Sequence, residues 1–584
     1  MARRCNRDLG QLDWCQCCVN ARANTCSLTH CAHDHPTPPC VSGRYQRLNI
    51  SCSAGGNDSF QRRHLENAGD STIRTLYTFL CALLMTGCAL PPMPERSESH
   101  ALEPEQAAQT SLDRAIAPQL LNHPGQSGFH ALQDPIEAFA ARILLARTAE
   151  RNLDVQYYIW RGDQTGTLLL QELVAAADRG VHVRLLLDDA GTAGLDGMLA
   201  ALAMHQRIEV RLFNPFVVRK PKFLGYLTDF GRANRRMHNK SFTADNQASI
   251  VGGRNVGDEY FGATDGVLFS DLDLLVVGAV VPEVAQNFDH YWTSQSAYPA
   301  QTIVPAVGTT ELQALEAEAT RIAQSDTAQD YVEAVRQTPF IQQLLQQQLS
   351  MEWASTTLVS DDPKKGLGHA KRTGLLVSQV QDVIGTPQRS VVLVSPYFVP
   401  TATGVQALAD LRQRGIRVRV MTNAYESTDV PLVHAGYAKY RKALLKHGVE
   451  LYEMQRMAPA STHARLNPLG SSGSSLHAKT FAVDSARAFV GSFNFDPRSA
   501  LLNTELGVII DSPLLARKIE QAFDTQIPGK SYRVQLSDSG KLQWHSLHKG
   551  SNAQPTIYSV EPGSSWLSRW SLWMLALLPF EWML

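Results

Sequence analysis

The chain has 584 residues, 44% of them hydrophobic and 19% charged, with a formal net charge of −1. That length supports two or more domains with sizeable cores. The balanced charge argues against a surface given over to nucleic acid, and no nucleic-acid partner is expected.

Residues 1–70 mix Cys, His, Asn, Ser and Arg with no sustained apolar period. Cys15, Cys17, Cys18, Cys26, Cys31 and Cys40 are of a zinc-ligand type, but their spacing fits no paired zinc pattern, so no metal is expected. The stretch reads as a disordered extension or as the product of a start codon placed too far upstream. All ten cysteines lie at or before Cys88, so catalysis in the rest of the chain must use groups other than thiols. Residues 71–88 read as a lipoprotein signal: Arg74, an apolar run from Leu76 to Met85, then Thr86-Gly87 before Cys88, the residue to be lipidated. The run is too short to cross a bilayer. Residues 89–127, opening with Pro91, Pro92 and Pro94, form a linker. Such a signal predicts a bacterial envelope protein, lipid-anchored and facing the periplasm.

Residues 128–300 and 375–535 repeat one order of elements. Each begins with an apolar strand, at 153–160 and 391–398, and continues through a helix to Arg179-Gly180 or Arg414-Gly415. A second strand, a second helix and a third strand follow in both. This alternation predicts an α/β fold with a mostly parallel sheet in each domain. Residues 301–374 read as a helical connector, and 536–584 as a C-terminal extension.

Each repeat then carries one signature. The first reads His238-Asn-Lys240-Ser-Phe-Thr-Ala-Asp245, followed by Gly252-Gly-Arg-Asn255. The second reads His477-Ala-Lys479-Thr-Phe-Ala-Val-Asp484, followed by Gly491-Ser492-Phe-Asn494. Residues i and i+2 of a strand share a face, so each His points the way of its Lys. Asp245 and Asp484 open turns. A tight hairpin at each turn would set Asn255 opposite His238 and Asn494 opposite His477. An imidazole, an ammonium and an amide donor on one surface suit a phosphodiester. Displacement at phosphorus through a covalent intermediate needs two imidazoles, one to attack and one to move a proton. Each repeat supplies one, so the site belongs at their interface, and it calls for no cofactor.

The paired signature resembles that of the phospholipase D superfamily, and from about residue 128 onward the chain resembles the bacterial cardiolipin synthases within it. Further matching stretches are 153–160, 234–243, 360–363, 433–438 and 491–499. The resemblance implies two tandem phospholipase D-type α/β/α sandwich repeats related by a pseudo-twofold. It implies a phosphatidyltransferase that makes cardiolipin through a phosphohistidine intermediate. Its substrates would be phosphatidylglycerol and a donor phospholipid such as phosphatidylethanolamine, and its location the inner membrane. His238 is then the nucleophile and His477 the acid/base, with Lys240, Lys479, Asp245 and Asp484 completing the catalytic set. Asn255, Ser492 and Asn494 would bind phosphate, and Asp273 and Glu505 would orient the histidines. The first repeat has Gly253-Arg254 where the second has Ser492-Phe493, so Arg254 is a candidate to replace the hydroxyl. A hydrolase or nuclease of the same superfamily is the alternative.

Two segments suggest a membrane surface. Residues 219–240 carry seven cations against one acid, Asp229, which suits anionic headgroups. The C-terminal stretch contains Trp566, Trp570, Trp573 and Trp582, and tryptophan prefers the headgroup boundary.

Overall fold

The computed structural model describes residues 90–93, 99–264, 267–345, 348–456, 473–546, 556–576 and 581–583. The cysteine-rich segment and the lipidation candidate Cys88 lie outside them.

Each repeat folds around one sheet. In the first, the strands run in the order Ser127–Leu132, Asp273–Gly278, Ala248–Gly252, Ser241–Ala244, Asn152–Tyr157, His182–Asp188 and Ile208–Phe213. In the second, the same order is Thr356–Ser360, Leu506–Ile510, Arg487–Gly491, Thr480–Val483, Ser390–Val394, Arg417–Asn423 and Glu450–Met454. The predicted α/β class is present, but the sheets are mixed rather than mostly parallel. Asn152–Tyr157, His182–Asp188 and Ile208–Phe213 pair in parallel, as do their counterparts, and the rest pair antiparallel. The reason is local: the signature strand turns straight back at Asp245-Asn246 or Asp484-Ser485, and a chain that turns back at once pairs antiparallel. The four turn residues have φ of 51°, 52°, 57° and 53°.

The crossover helices follow from the sequence. Helix Gln164–Asp178 starts at Asp163, whose carboxylate accepts the Gly166 N–H at 3.0 Å. It stops at Gly180, whose φ of 98° is left-handed, and Gly415 stands at the matching place with φ 81°. Strand Asn152–Tyr157 is buried along its whole length, as a central strand covered on both faces must be.

A third apolar cluster joins the repeats. Val251, Leu274 and Val276 of the first sheet meet Val490, Leu506 and Val508 of the second. Two predicted boundaries change. Residues 99–122 are not a free linker: Arg184 donates to the Ser99 carbonyl at 3.0 Å, and Ile116 is buried. The connector is not wholly helical either. After helices Thr309–Ala323 and Asp326–Arg336, Glu352–Ala354 joins the edge of the first sheet and Thr356–Ser360 that of the second.

Candidate active site

The two signatures meet where the repeats exchange short strands. Val267–Ser270 pairs in parallel with Gly473–Leu476, the residues just before His477. Met237 pairs with Thr504 across the other half. The His477 N–H donates to the Ser270 carbonyl and the His238 N–H to the Thr504 carbonyl, both at 2.8 Å. Each histidine is therefore fixed by the residue that precedes an acid of the other repeat.

Those acids hold the rings. His238 Nδ1 lies 2.8 Å from Glu505 Oε2, and His477 Nδ1 lies 2.5 Å from Asp271 Oδ2. A bond at Nδ1 leaves Nε2 of each ring to face a substrate. The strand leading into each histidine is clamped as well. Asp188 accepts the Met237 N–H at 2.7 Å, and Asn423 accepts the Leu476 N–H at 2.9 Å. Both residues end the second strand of their repeat.

Lys240 and Lys479 share the face of their histidines. Lys240 Nζ donates to the His238 carbonyl at 2.6 Å, and Lys479 Nζ lies 3.0 Å from His477 Nδ1. Tyr158 packs edge-on against His238 at 5.0 Å between ring centroids and takes Lys240 Nζ over its face. Tyr260 packs edge-on against His477 at 5.2 Å, and Phe269 lies tilted against it at 5.0 Å. His238, Lys240, His477 and Lys479 are all buried.

Burial governs the electrostatics. It drives His238 well below its ordinary pKa, and Lys240, Lys479 and His477 add to the shift. His477 is lowered by burial and by Lys479, but Asp271 opposes the fall. Burial pushes Glu505 up to about 7 against the pull of Lys240. Burial alone would raise Asp271 too, but the His477 ring and the Lys479 ammonium hold it well below the usual carboxylate range. The two half-sites are thus alike in geometry and unlike in charge. His477 faces a firmly ionised acid, and His238 faces one that ionises reluctantly.

A family model described as "Cardiolipin synthase, PLD-like domain" matches residues 143–292 and 380–527. Cardiolipin synthase C of Escherichia coli K12 is 46% identical over 475 residues, 81% of this chain and 99% of that protein. The chain belongs to the phospholipase D-like cardiolipin synthase family. An uncharacterised Helicobacter pylori 26695 protein is 30% identical over 75% of this chain and 84% of its own length. A crystal structure of phosphatidylserine synthase from Haemophilus influenzae aligns with 72% of this chain and 91% of that one, at 15% identity and a TM-score of 0.46.

Several cardiolipin synthase site residues stand elsewhere than the sequence suggested. Asp273 does not touch a histidine. It is paired with Arg142 at 2.8 Å and accepts the Arg254 N–H at 3.1 Å. Asp271 does the orienting. The signal was present, since Asp271-Leu272 matches Glu505-Leu506 and each follows a hydroxyl residue, Ser270 or Thr504. The pairing is also crossed, with each acid serving the histidine of the other repeat. Asp245 and Asp484 lie at the hairpin turns, away from the reacting groups. Asp245 accepts the N–H groups of Glu150, Arg151 and Asn152 at 2.9, 2.7 and 3.0 Å. Asp484 does the same for Gln388, Arg389 and Ser390. Their work is structural.

Ser492 Oγ donates to Glu505 at 2.5 Å, which orients the acid. Gly253 has no room for such a hydroxyl, because a Cβ there would lie 2.2 Å from Asp271 Oδ1. Arg254 does not replace it. Its guanidinium donates to the Leu132, Gln133 and Asp271 carbonyls. The hairpin register also differs by one residue from the predicted one: Ser241 faces Val251 and Thr480 faces Val490, because each loop holds one more residue. Asn255 spans the Ile159 N–H at 3.2 Å and the Tyr260 hydroxyl at 3.0 Å, so it braces the aromatic wall. Asn494 is buried, and among the described residues its Oδ1 has no hydrogen-bond partner. Asp361, in the matched stretch 360–363, accepts the Glu505 N–H at 2.9 Å and the Lys365 ammonium at 2.8 Å.

The basic run at 219–240 is largely neutralised from within. Arg219 and Lys222 pair with Asp189, Arg232 with Asp229, and Arg236 with Asp188. Asp188 ends the second strand of the first repeat and Asp189 follows it, and the run folds back over both.

Proposed function

We propose that the chain transfers the phosphatidyl group of a donor phospholipid to phosphatidylglycerol, forming cardiolipin through a phosphohistidine at His238. The supporting observation is the asymmetric pair of histidines, each held at Nδ1 by a carboxylate of the opposite repeat.

The roles follow from charge. A nucleophile must be neutral, and the acid must carry a proton to the leaving oxygen. His238, with a strongly depressed pKa and a weakly ionised partner, suits the first. His477, supported by ionised Asp271, suits the second. In the first step His238 Nε2 attacks phosphorus. The bond from phosphorus to the headgroup oxygen breaks, and that oxygen takes the proton from His477. In the second step His477 removes the proton from a glycerol hydroxyl of phosphatidylglycerol. The alkoxide forms a new P–O bond and the P–N bond to His238 breaks. Lys240 and Lys479 offset the charge on the non-bridging oxygens in both steps. In our reading Asn494 is the amide donor to phosphate and Asn255 supports Tyr260.

Water in place of the glycerol hydroxyl would give phosphatidic acid. Full-length protein incubated with phosphatidylglycerol and phosphatidylethanolamine vesicles should therefore yield cardiolipin, and His238→Ala and His477→Ala should each lower the rate by roughly 10⁴-fold or more. Phosphatidic acid without cardiolipin would make the protein a hydrolase. Cardiolipin from either histidine variant at the normal rate would end the two-histidine reading.

A further inference from the structure

One apolar face is built from segments far apart in sequence. Phe223, Leu227 and Phe230, from the short helices after the third strand of the first repeat, project into solvent, and Leu227 is 82% exposed. Leu501 closes helix Pro497–Leu501 of the second repeat and is exposed too. Trp582 links them, its ring 6.4 Å from that of Phe230. Arg498 donates to the Met583 carbonyl at 3.1 Å and to Asn234, fixing the chain end between the repeats. Glu581 then accepts the Tyr440 hydroxyl at 2.9 Å and pairs with Lys439.

From Lys439 the face continues onto helix Trp566–Ala576, which packs against Pro431–Ala438. Leu572 is its buried anchor, while Trp566, Trp570 and Trp573 are all more than half exposed. A cleft of about 510 Å³ beside Trp573 is lined by the cations Lys442 and Arg569. The face adjoins the site through Arg498, which donates to the Asn234 side chain and carbonyl at 2.9 and 2.8 Å, four residues before His238. Among the described residues no helix is long and apolar enough to cross a membrane.

We infer that these segments form one docking rim that enters the headgroup layer of an anionic phospholipid bilayer and presents lipid phosphodiesters to the histidine pair. Three features choose a bilayer over a second copy of the chain. Four tryptophans are exposed on this face, and tryptophan prefers the headgroup boundary. Cations outnumber acids around the adjoining cleft, where Lys442, Lys541 and Arg569 stand beside the Arg441–Glu561 pair, as anionic headgroups require. The face also reaches Asn234, which leads into His238, so a lipid held there would keep its acyl chains in the layer beside the site. This inference rests on the lipid reading of the site.

The test compares full-length protein with two variants at exposed positions, Phe223→Ser/Leu227→Ser and Trp570→Ser/Trp573→Ser. Each should weaken co-sedimentation with equimolar phosphatidylglycerol–phosphatidylethanolamine vesicles by about tenfold, roughly the 1.4 kcal/mol expected for a partly lost apolar contact. Cardiolipin formation on vesicles should fall in proportion. Turnover of dihexanoyl phosphatidylglycerol, dissolved below its micelle concentration, should stay within about twofold of wild type. Unchanged vesicle binding in either variant overturns the rim. So does a wild-type dimer that the substitutions dissociate without affecting vesicles. Weakened vesicle binding by the variants, with no turnover of either lipid form by the wild type, would uphold the rim and overturn the transferase reading.

Discussion

The behaviour of His477 depends on one carboxylate. Burial and Lys479 lower its pKa, and Asp271 opposes them. His477 delivers a proton only while protonated, so activity must fall as pH rises through its pKa. Removing Asp271 takes away the contribution that raises this pKa, so the basic limb of the kcat/KM profile should move to lower pH in Asp271→Asn. The acid limb, set by loss of a proton from His238, should stay in place. A basic limb that stayed in place, or moved to higher pH, would show that Asp271 does not support the imidazolium. Individual residues of this kind were only partly legible. His238, Lys240, His477 and Lys479 stand out because their spacing recurs. Asp271 and Asp273 stand in one short segment, and only the match of Ser270-Asp271-Leu272 to Thr504-Glu505-Leu506, made concrete by the crossed strand pairing, tells them apart.

At the level of the element, the hairpin is the unit that carries the signature, and its terminal aspartate closes it. Asp245 collects three backbone N–H groups while fully buried, whereas Asp484 makes the same contacts partly exposed. Removing the acceptor leaves buried donors unsatisfied, at about 1–3 kcal/mol each and not additively. Asp245→Ala should therefore lower stability by about 3 kcal/mol in denaturant titration, and Asp484→Ala by less. Both should retain near-normal kcat for the folded fraction. A complete loss of kcat in well-folded Asp245→Ala would return that residue to the catalytic set. The order of strands and helices was readable because apolar runs, Arg-Gly stops and turn residues recur in both repeats. The direction of the strands was not, since alternation alone does not say which neighbours pair. The basic run at 219–240 misled for a similar reason: its partners, Asp188 and Asp189, lie far away in sequence and close in space.

For the whole molecule, the crossed acids make two domains one catalyst. His238 and Glu505 are 267 residues apart and in direct contact. Neither repeat holds a complete histidine–acid pair, which is why duplication had to keep both copies on one sheet-to-sheet core. This predicts strong coupling across the interface. In a double-mutant cycle, Glu505→Gln should slow the wild type severely but add almost nothing once His238 is Ala. Additive losses would mean that Glu505 acts on something other than His238. The duplicated plan was visible from the sequence, but the exchange of acids between copies was not, because it depends on strands Val267–Ser270 and Gly473–Leu476 crossing from one repeat to the other.

The most direct test is to trap the intermediate. Full-length protein would be mixed with donor phospholipid, quenched in alkali-stable conditions within one turnover, digested and analysed by mass spectrometry. The two-histidine account predicts a phosphatidyl adduct on the peptide containing His238, absent from His238→Ala. An adduct on the His477 peptide would reverse the roles. No adduct, with cardiolipin still formed at the normal rate, would contradict covalent transfer itself.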